Sequence, residues 1–354
     1  MNIKTITGKN DFSEFLRGKK ATFLLALSNT QTADIEGITQ AGIPGKIYLT
    51  PTLDSEFVCT AEVRSLENIA ETPKGVPTPA LITRAVHQLK PFSNIELLNL
   101  GLEKLPQIDY FKIHNFEIKP SKSIASGAKI ESLELFEKAL EFGKNYKVKD
   151  DYLIIGESVP SGTTTAYATC QALGYPCEGM FSSSFKNNPK DIKEKTVKKS
   201  LSLLDEEMDL FTKLSIVSDN MLIFTAGFIL GLSSSDTKVV LAGGTQMAAV
   251  LLVVNSIIEY MQGTFDAKNI SLCTTKWVYE DQNSDIEALI KLCNFDINTY
   301  YVDFNFSKST HPALKMYDEG EAKEGVGAGG AIMYGILNGL DKTSLTNEIE
   351  KFLN

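Results

Sequence analysis

Six short apolar runs, rich in β-branched residues, recur along this chain and alternate with longer stretches that have helical spacing. The runs cover residues 22–27, 95–100, 152–155, 238–241, 270–273 and 300–304. The helical stretches cover 81–89, 130–142 (Leu133, Phe136 and Leu140 on one face), 192–204, 247–260 and 286–293. Strand and helix in alternation predict crossover units, hence an α/β fold with a mostly parallel sheet. The runs are mainly apolar on both sides rather than only at every second residue, as strands are when helices cover both faces.

At 354 residues the chain is long enough for about two domains of ordinary size. No clean linker separates them, so a second domain is expected to form from the two chain ends. Hydrophobic residues at 43% and charged residues at 22% exclude a disordered or fibrous chain. A core of this size needs no disulfide or metal staple. Thirty-five basic against 44 acidic residues leave a net charge of −9, which argues against a partner held by nucleic-acid backbone electrostatics. The five cysteines form no C-x-x-C pair and there are only three histidines, so neither a zinc knuckle nor a His-rich metal site is expected. No cofactor is expected either. The N-terminus is polar from its start, and the apolar stretches 222–232 and 247–254 are too short to span a membrane. A cytoplasmic protein without a membrane partner is therefore expected.

Ligands of open parallel sheets bind beyond the carboxyl ends of the strands, and three strand-end loops carry candidate chemistry. The first is YLIIGESVPSGTTTA at 152–166. Ser161, Gly162, Thr163 and Thr164 should open a helix whose free N–H groups and dipole favour an anion, with Gly156, Glu157 and Ser158 directly after the strand. It lacks the Gly-Lys-Ser/Thr of a Walker loop, and an ordinary Ser/Thr cap remains an alternative reading. The second is VVLAGGTQMAA at 239–249, where Gly243 and Gly244 allow close backbone approach and Thr245 and Gln246 offer hydrogen bonds. A tight turn alone would also explain it. The third is KEGVGAGGA at 323–331, with Glu324 among four glycines that include Gly325 and Gly327. A flexible connecting loop is the alternative there. Lys193 shares a helix face with Val197 and Leu201, but by spacing it reads as one more solvated lysine beside Lys190, Lys195, Lys198 and Lys199. His311 reads as a cap or core histidine.

Together GESVPSGTTTA (156–166), VVLAGGTQMAAV (239–250), KEGVGAGGA (323–331) and PTPALITRA (77–85) resemble the archaeal-type branch of the nicotinate-nucleotide:dimethylbenzimidazole phosphoribosyltransferase-like family. The likeness to that branch runs along nearly the whole chain. That to the bacterial enzymes is concentrated after about Gly127. The resemblance implies a Rossmann-like three-layer α/β/α domain (20–322) and a small domain built from residues 1–19 and 323–354. It also implies a homodimer with no metal. By it Glu324 is the general base, and Glu157 is a second catalytic carboxylate that holds the ribose or stabilises its developing positive charge. Gly156, Ser161, Gly162, Thr163 and Thr164 fall on the nucleotide loop, and Lys193 contacts the phosphate. An upstream histidine falls on His311. The implied substrates are nicotinate mononucleotide and an aromatic nitrogen base of the dimethylbenzimidazole kind. The product would be the α-ribosyl nucleotide that serves as a cobamide lower ligand.

The chain departs from the bacterial pattern at four places. Ser161-Gly162 replace Gly-Asn, Lys323 replaces a glycine, Leu27-Ser-Asn-Thr-Gln31 replace a segment with Asp-His-Gly, and Ser218-Asp219-Asn220 replace Gly-Gly. Residues near the N-terminus should line the acceptor pocket, so these changes leave the accepting base open. Two other readings stay on the table. One is a transferase using phosphoribosyl pyrophosphate, although Asp150-Asp151 precede the strand rather than follow it. The other is a nucleotide-binding or chaperone protein without catalysis.

Overall fold

A computed structural model describes residues 1–353. Eight strands form one sheet: β1 (Asn2–Thr7), β2 (Ala21–Leu27), β3 (Asn94–Asn99), β4 (Lys112–Asn115), β5 (Tyr152–Ser158), β6 (Lys238–Ala242), β7 (Ile270–Thr275) and β8 (Asn298–Asp303). Their order is β1-β8-β7-β6-β5-β2-β3-β4, and all pairs are parallel except β1 with β8. The six expected strands are all present. The two that the sequence did not announce lie at the edges. Asn-Ile-Lys-Thr-Ile-Thr has only two apolar residues, with Asn2 and Lys4 exposed on one side, and Lys-Ile-His-Asn is only four residues long.

Alternate residues of the central strands feed two separate cores, as the two-residue period of a strand requires. Leu24, Ala26, Leu153, Ile155, Val239 and Leu241 face the helices Ser132–Asn145, Gly162–Ala172, Asn220–Leu232 and Thr245–Tyr260. Phe23, Leu25, Tyr152, Ile154, Val240 and Ala242 face the helices Thr50–Thr60, Ala80–Leu89, Ala328–Leu337 and Lys342–Lys351. The result is a three-layer α/β/α fold of Rossmann-like type. One helix face differs from expectation. Leu133 is exposed, while Leu135, Phe136 and Ala139 are buried, so the apolar stripe is displaced from Leu133 toward Leu135.

The two chain ends meet. The N–H of Gly18 donates to the Leu337 carbonyl at 3.1 Å, and Asn338 Nδ2 reaches the Lys19 carbonyl at 3.5 Å. No helix among the described residues is long and apolar enough to cross a membrane.

From β2 the chain builds outward through β3 to β4, then returns to pair β5 on the other side of β2 and builds away through β6 to β8. The winding therefore reverses between β2 and β5. In an open parallel sheet, this reversal opens a crevice beyond the strand ends, and ligands bind there.

Candidate active site

At that crevice β5 ends with Glu157 and Ser158 paired to Ala26 and Leu27 of β2. Both residues belong to the strand, which extends past the apolar run; they do not follow it. Ser161 then takes a left-handed conformation (φ +67°) and caps the helix Gly162–Ala172 without any side-chain bond to it. The hydroxyls of Ser161 and Thr164 are buried and have no partner among the described residues. Both lie beside the partial positive charge of a helix start, and Ser161 borders the cleft, where an incoming anion would satisfy it.

Lys193 is not a solvated lysine. The residue is 3% exposed, and its Nζ donates to Thr163 Oγ1 (3.1 Å) and to the Ser182 carbonyl (2.7 Å). Burial, with the nearby Lys323 charge adding to it, pushes its ammonium down to about 7. The helix Lys190–Leu201 buries Lys193, Thr196, Val197 and Ser200, so the lysine stands on the inward face among outward ones.

Glu324 arrives from the other end of the chain. The turn after it holds Gly325 (φ +145°), Val326 (φ +54°) and Gly327 (φ +68°) in left-handed backbone, where a β-branched valine is strained. Three contacts hold this turn. The Val326 N–H donates to the Glu157 carbonyl (2.8 Å), Thr83 Oγ1 donates to the Val326 carbonyl (2.8 Å), and Gly327 presses on Gly156. A Cβ on Gly156 would stand 3.0 Å from Gly327 Cα, so neither glycine tolerates a side chain without a backbone shift. The Glu324 carboxylate accepts from the N–H groups of Thr275 (2.9 Å), Gly325 and Gly329 (both 3.2 Å), and more weakly from Thr274 Oγ1 (3.4 Å).

The two carboxyls share one electrostatic environment. Burial pushes Glu324 up to about 7, against the pull of its hydrogen bonds. Glu157 is driven higher, to about 8, by burial first and then by the charges of Glu324, Asp219 and Asp54. Its Oε2 accepts from the Val159 N–H (3.1 Å) and Gln246 Nε2 (3.4 Å). The glycine pair lies between them. A Cβ on Gly243 would be 4.0 Å from Glu157 Oε1, and one on Gly244 would be 3.7 Å from Glu324 Cβ. Near neutral pH such a pair keeps one proton-holding and one proton-accepting member.

These groups border a cleft of about 950 Å³, open mouth included. Its lining includes Glu157, Ser158, Ser161, Gly162, Thr163, Gly244, Thr245, Gln246, Glu324 and Gly325. Gly156, Gly243, Gly327, Thr164 and Lys193 are not part of the lining, although Lys193 bonds to Thr163 and Ser182, which are. Ile38, Ala41, Ala70, Val76, Pro77 and Pro79 add an apolar wall. The segment Leu27–Gln31 does not line the cleft; Asn29 instead ties loops together through the Tyr48 carbonyl and the Glu103 N–H. His311 precedes the helix Pro312–Asp318, away from the cleft. Asp150 and Asp151 bind Thr22, Asn94 and the Lys20 N–H at the opposite end of β5.

Several lining groups carry no local sequence signal. Asp54 accepts from Thr78 Oγ1 (2.7 Å) and Ser158 Oγ (2.6 Å). Lys323, visible in the sequence only as a replaced glycine, is buried against Asp281 (3.2 Å) and anchors the carbonyls of Ser183 and Phe185. It thereby fixes Ser182–Ser184 along the polar wall. No trio of His, Cys, Asp or Glu gathers in a metal-holding arrangement among the described residues.

No family model matches the chain. It is 36% identical over 352 residues to a UPF0284 protein of Sulfolobus acidocaldarius, covering 99% of this chain and 97% of that one. A UPF0284 protein of Sulfurisphaera tokodaii is 33% identical over 354 residues, with the same coverage. Among solved structures, the nicotinate-nucleotide-dimethylbenzimidazole phosphoribosyltransferase of Thermus thermophilus superposes with a TM-score of 0.58 at 13% identity, covering 94% of this chain and 83% of that one. A structure of CobT from the same organism gives 0.59 at 14%, with 94% and 84% covered. At that identity the likeness is one of fold.

Proposed function

The chain belongs to the UPF0284 family, and we propose that it transfers phosphoribose from nicotinate mononucleotide to an aromatic nitrogen base. The observation that carries this reading is that Glu324 borders the same cleft as the Ser161–Gly162–Thr163 helix start. One ligand can thus place an anionic tail on the helix start and its reacting sugar carbon near a carboxylate. The shared fold with a phosphoribosyltransferase supports the same reading.

In this mechanism the phosphate rests on the first turn of Gly162–Ala172, with the hydroxyls of Ser161 and Thr164 and the Lys193 ammonium as donors. The departing pyridinium is cationic in the substrate, and it leaves with the glycosidic electron pair as a neutral ring. The ribose carbon develops oxocarbenium character, which the ionised Glu324 carboxylate stabilises electrostatically. The free azole nitrogen attacks from the opposite face, forming the new C–N bond with inversion. The N–H proton of the azole's other nitrogen passes to Glu324, which leaves the product ring neutral. Glu157 retains its own proton near neutral pH and holds a ribose oxygen. General-base help of this kind is worth about 10²–10⁴-fold in rate.

The pyrophosphate-dependent alternative loses ground, because Asp150 and Asp151 lie at the far end of β5 from the cleft. A homodimer is proposed on the family resemblance alone. The division into a large unit and a small one from both ends is proposed on the family resemblance and on the contact between Gly18 and Leu337, although β1 joins the large sheet through β8 and the helix Ala328–Leu337 shares its core. Incubating the protein with nicotinate mononucleotide and a panel of azoles, and measuring nicotinate release, tests the reaction. Nicotinate release that persists with a chelator supports it; no nicotinate release, with pyrophosphate set free instead from phosphoribosyl pyrophosphate and Mg²⁺, overturns it.

A further inference from the structure

One buried carboxyl on the cleft has no role in that mechanism. Asp54, in the helix Thr50–Thr60, is 2% exposed and lies on the lining beside Val76, Pro77 and Pro79. A carboxylate can accept about four hydrogen bonds. Among the described residues Asp54 takes two side-chain bonds, one on each oxygen, from Thr78 and Ser158, and no cation pairs with it. Burial lifts its carboxyl to about 6 while those two hydroxyls pull it back, so it is mostly ionised above neutral pH. A buried anion with unused acceptor capacity, set into a mainly apolar wall, is costly beside a purely apolar ligand and favourable beside a hydrogen-bond donor.

Resting on the phosphoribosyl-transfer reading, we propose that Asp54 selects the acceptor: the base carries an N–H or O–H donor on its ring edge remote from the attacking nitrogen. Ser158, which orients one Asp54 oxygen, directly follows Glu157 in β5, so the selecting group and the sugar-holding group are fixed by one strand end. Ring substituents that are only methyl groups would leave the Asp54 lone pairs facing hydrocarbon.

The test compares 5-aminobenzimidazole with 5-methylbenzimidazole, which match in size and differ in donors, by calorimetric binding to the protein with nicotinate mononucleotide present. A hydrogen bond to a charged group is worth about 10–100-fold in affinity. The wild type should therefore prefer the amino compound by at least about tenfold, and Asp54→Asn should bring the two within about threefold. Equal affinity in the wild type overturns the proposal without any need for a variant. So does a preference that survives in Asp54→Asn, or an equal loss for both bases, which would put Asp54 on the sugar instead. If neither base binds while nicotinate mononucleotide does, Asp54 selection is overturned and the nucleotide site stands. If the amino preference is found but no nicotinate is released, the transfer reading fails and Asp54 selection stands.

Discussion

The backbone N–H of Val326 donates to the carbonyl oxygen of Glu157 at 2.8 Å. Through this bond the glycine-rich turn that carries Glu324 is fixed to the strand end that carries the other buried carboxyl. Two segments separated by more than 160 residues of sequence thus act as one rigid floor of the cleft.

Replacing Glu324 by Gln keeps the shape and one acceptor oxygen but removes the proton acceptor. Nicotinate release should fall about 10²–10⁴-fold in kcat, with little change in the affinity for nicotinate mononucleotide. Steady-state kinetics beside calorimetric binding checks both halves. Full turnover in the variant would remove Glu324 from the mechanism.

The pH dependence follows from the two raised carboxyls. Turnover should rise as Glu324 ionises near pH 7 and fall as Glu157 loses its proton near pH 8. Glu157→Gln should abolish the falling limb. Stability moves in a stated direction too. Glu157 titrates near 4.5 when unfolded and near 8 when folded, so folding takes up a proton between those values. Its contribution is complete below about pH 4.5 and is lost as pH rises through about 8. The melting temperature of the wild type should therefore decline relative to Glu157→Gln between pH 5 and 8.5, as thermal scans in matched buffers would register.

Lys193, held near 7 in the free protein, should regain its proton when a phosphate dianion arrives. Binding of nicotinate mononucleotide at pH 8 should take up protons, seen as a binding enthalpy that varies with the ionisation enthalpy of the buffer. Lys193→Met should erase that variation and weaken binding about 10–100-fold.

Gly156→Ala places a methyl group 3.0 Å from Gly327 Cα and 3.1 Å from its nitrogen. Backbone atoms cannot swing aside as side chains do, so unfolding free energy should drop by about 1–3 kcal/mol. Turnover should drop with it, because the Glu324 turn is displaced. Denaturant melts at fixed pH measure the first effect. Gly174→Ala offers a contrast, since nothing lies within 4 Å of its added Cβ and only its left-handed backbone resists.

Much of the fold was legible because central parallel strands are covered on both faces and so carry mainly apolar residues on both. That is why β2, β5, β6 and β7 stand out as runs, while β1, exposed on one side, and the four-residue β4 do not. The helix start at Ser161 and the Glu324 turn were legible for a local reason: hydroxyls before a helical pattern and clustered glycines each restrict nearby backbone. Tertiary structure alone decided that Lys193 turns inward among outward-facing lysines, and that Asp54, about a hundred residues before Ser158, shares its hydrogen bond. It also decided that Lys323 pairs with Asp281. Local propensity sets backbone conformation over a few residues. Which polar groups are carried into the interior, and which partners they meet there, depends on how distant segments pack across the sheet.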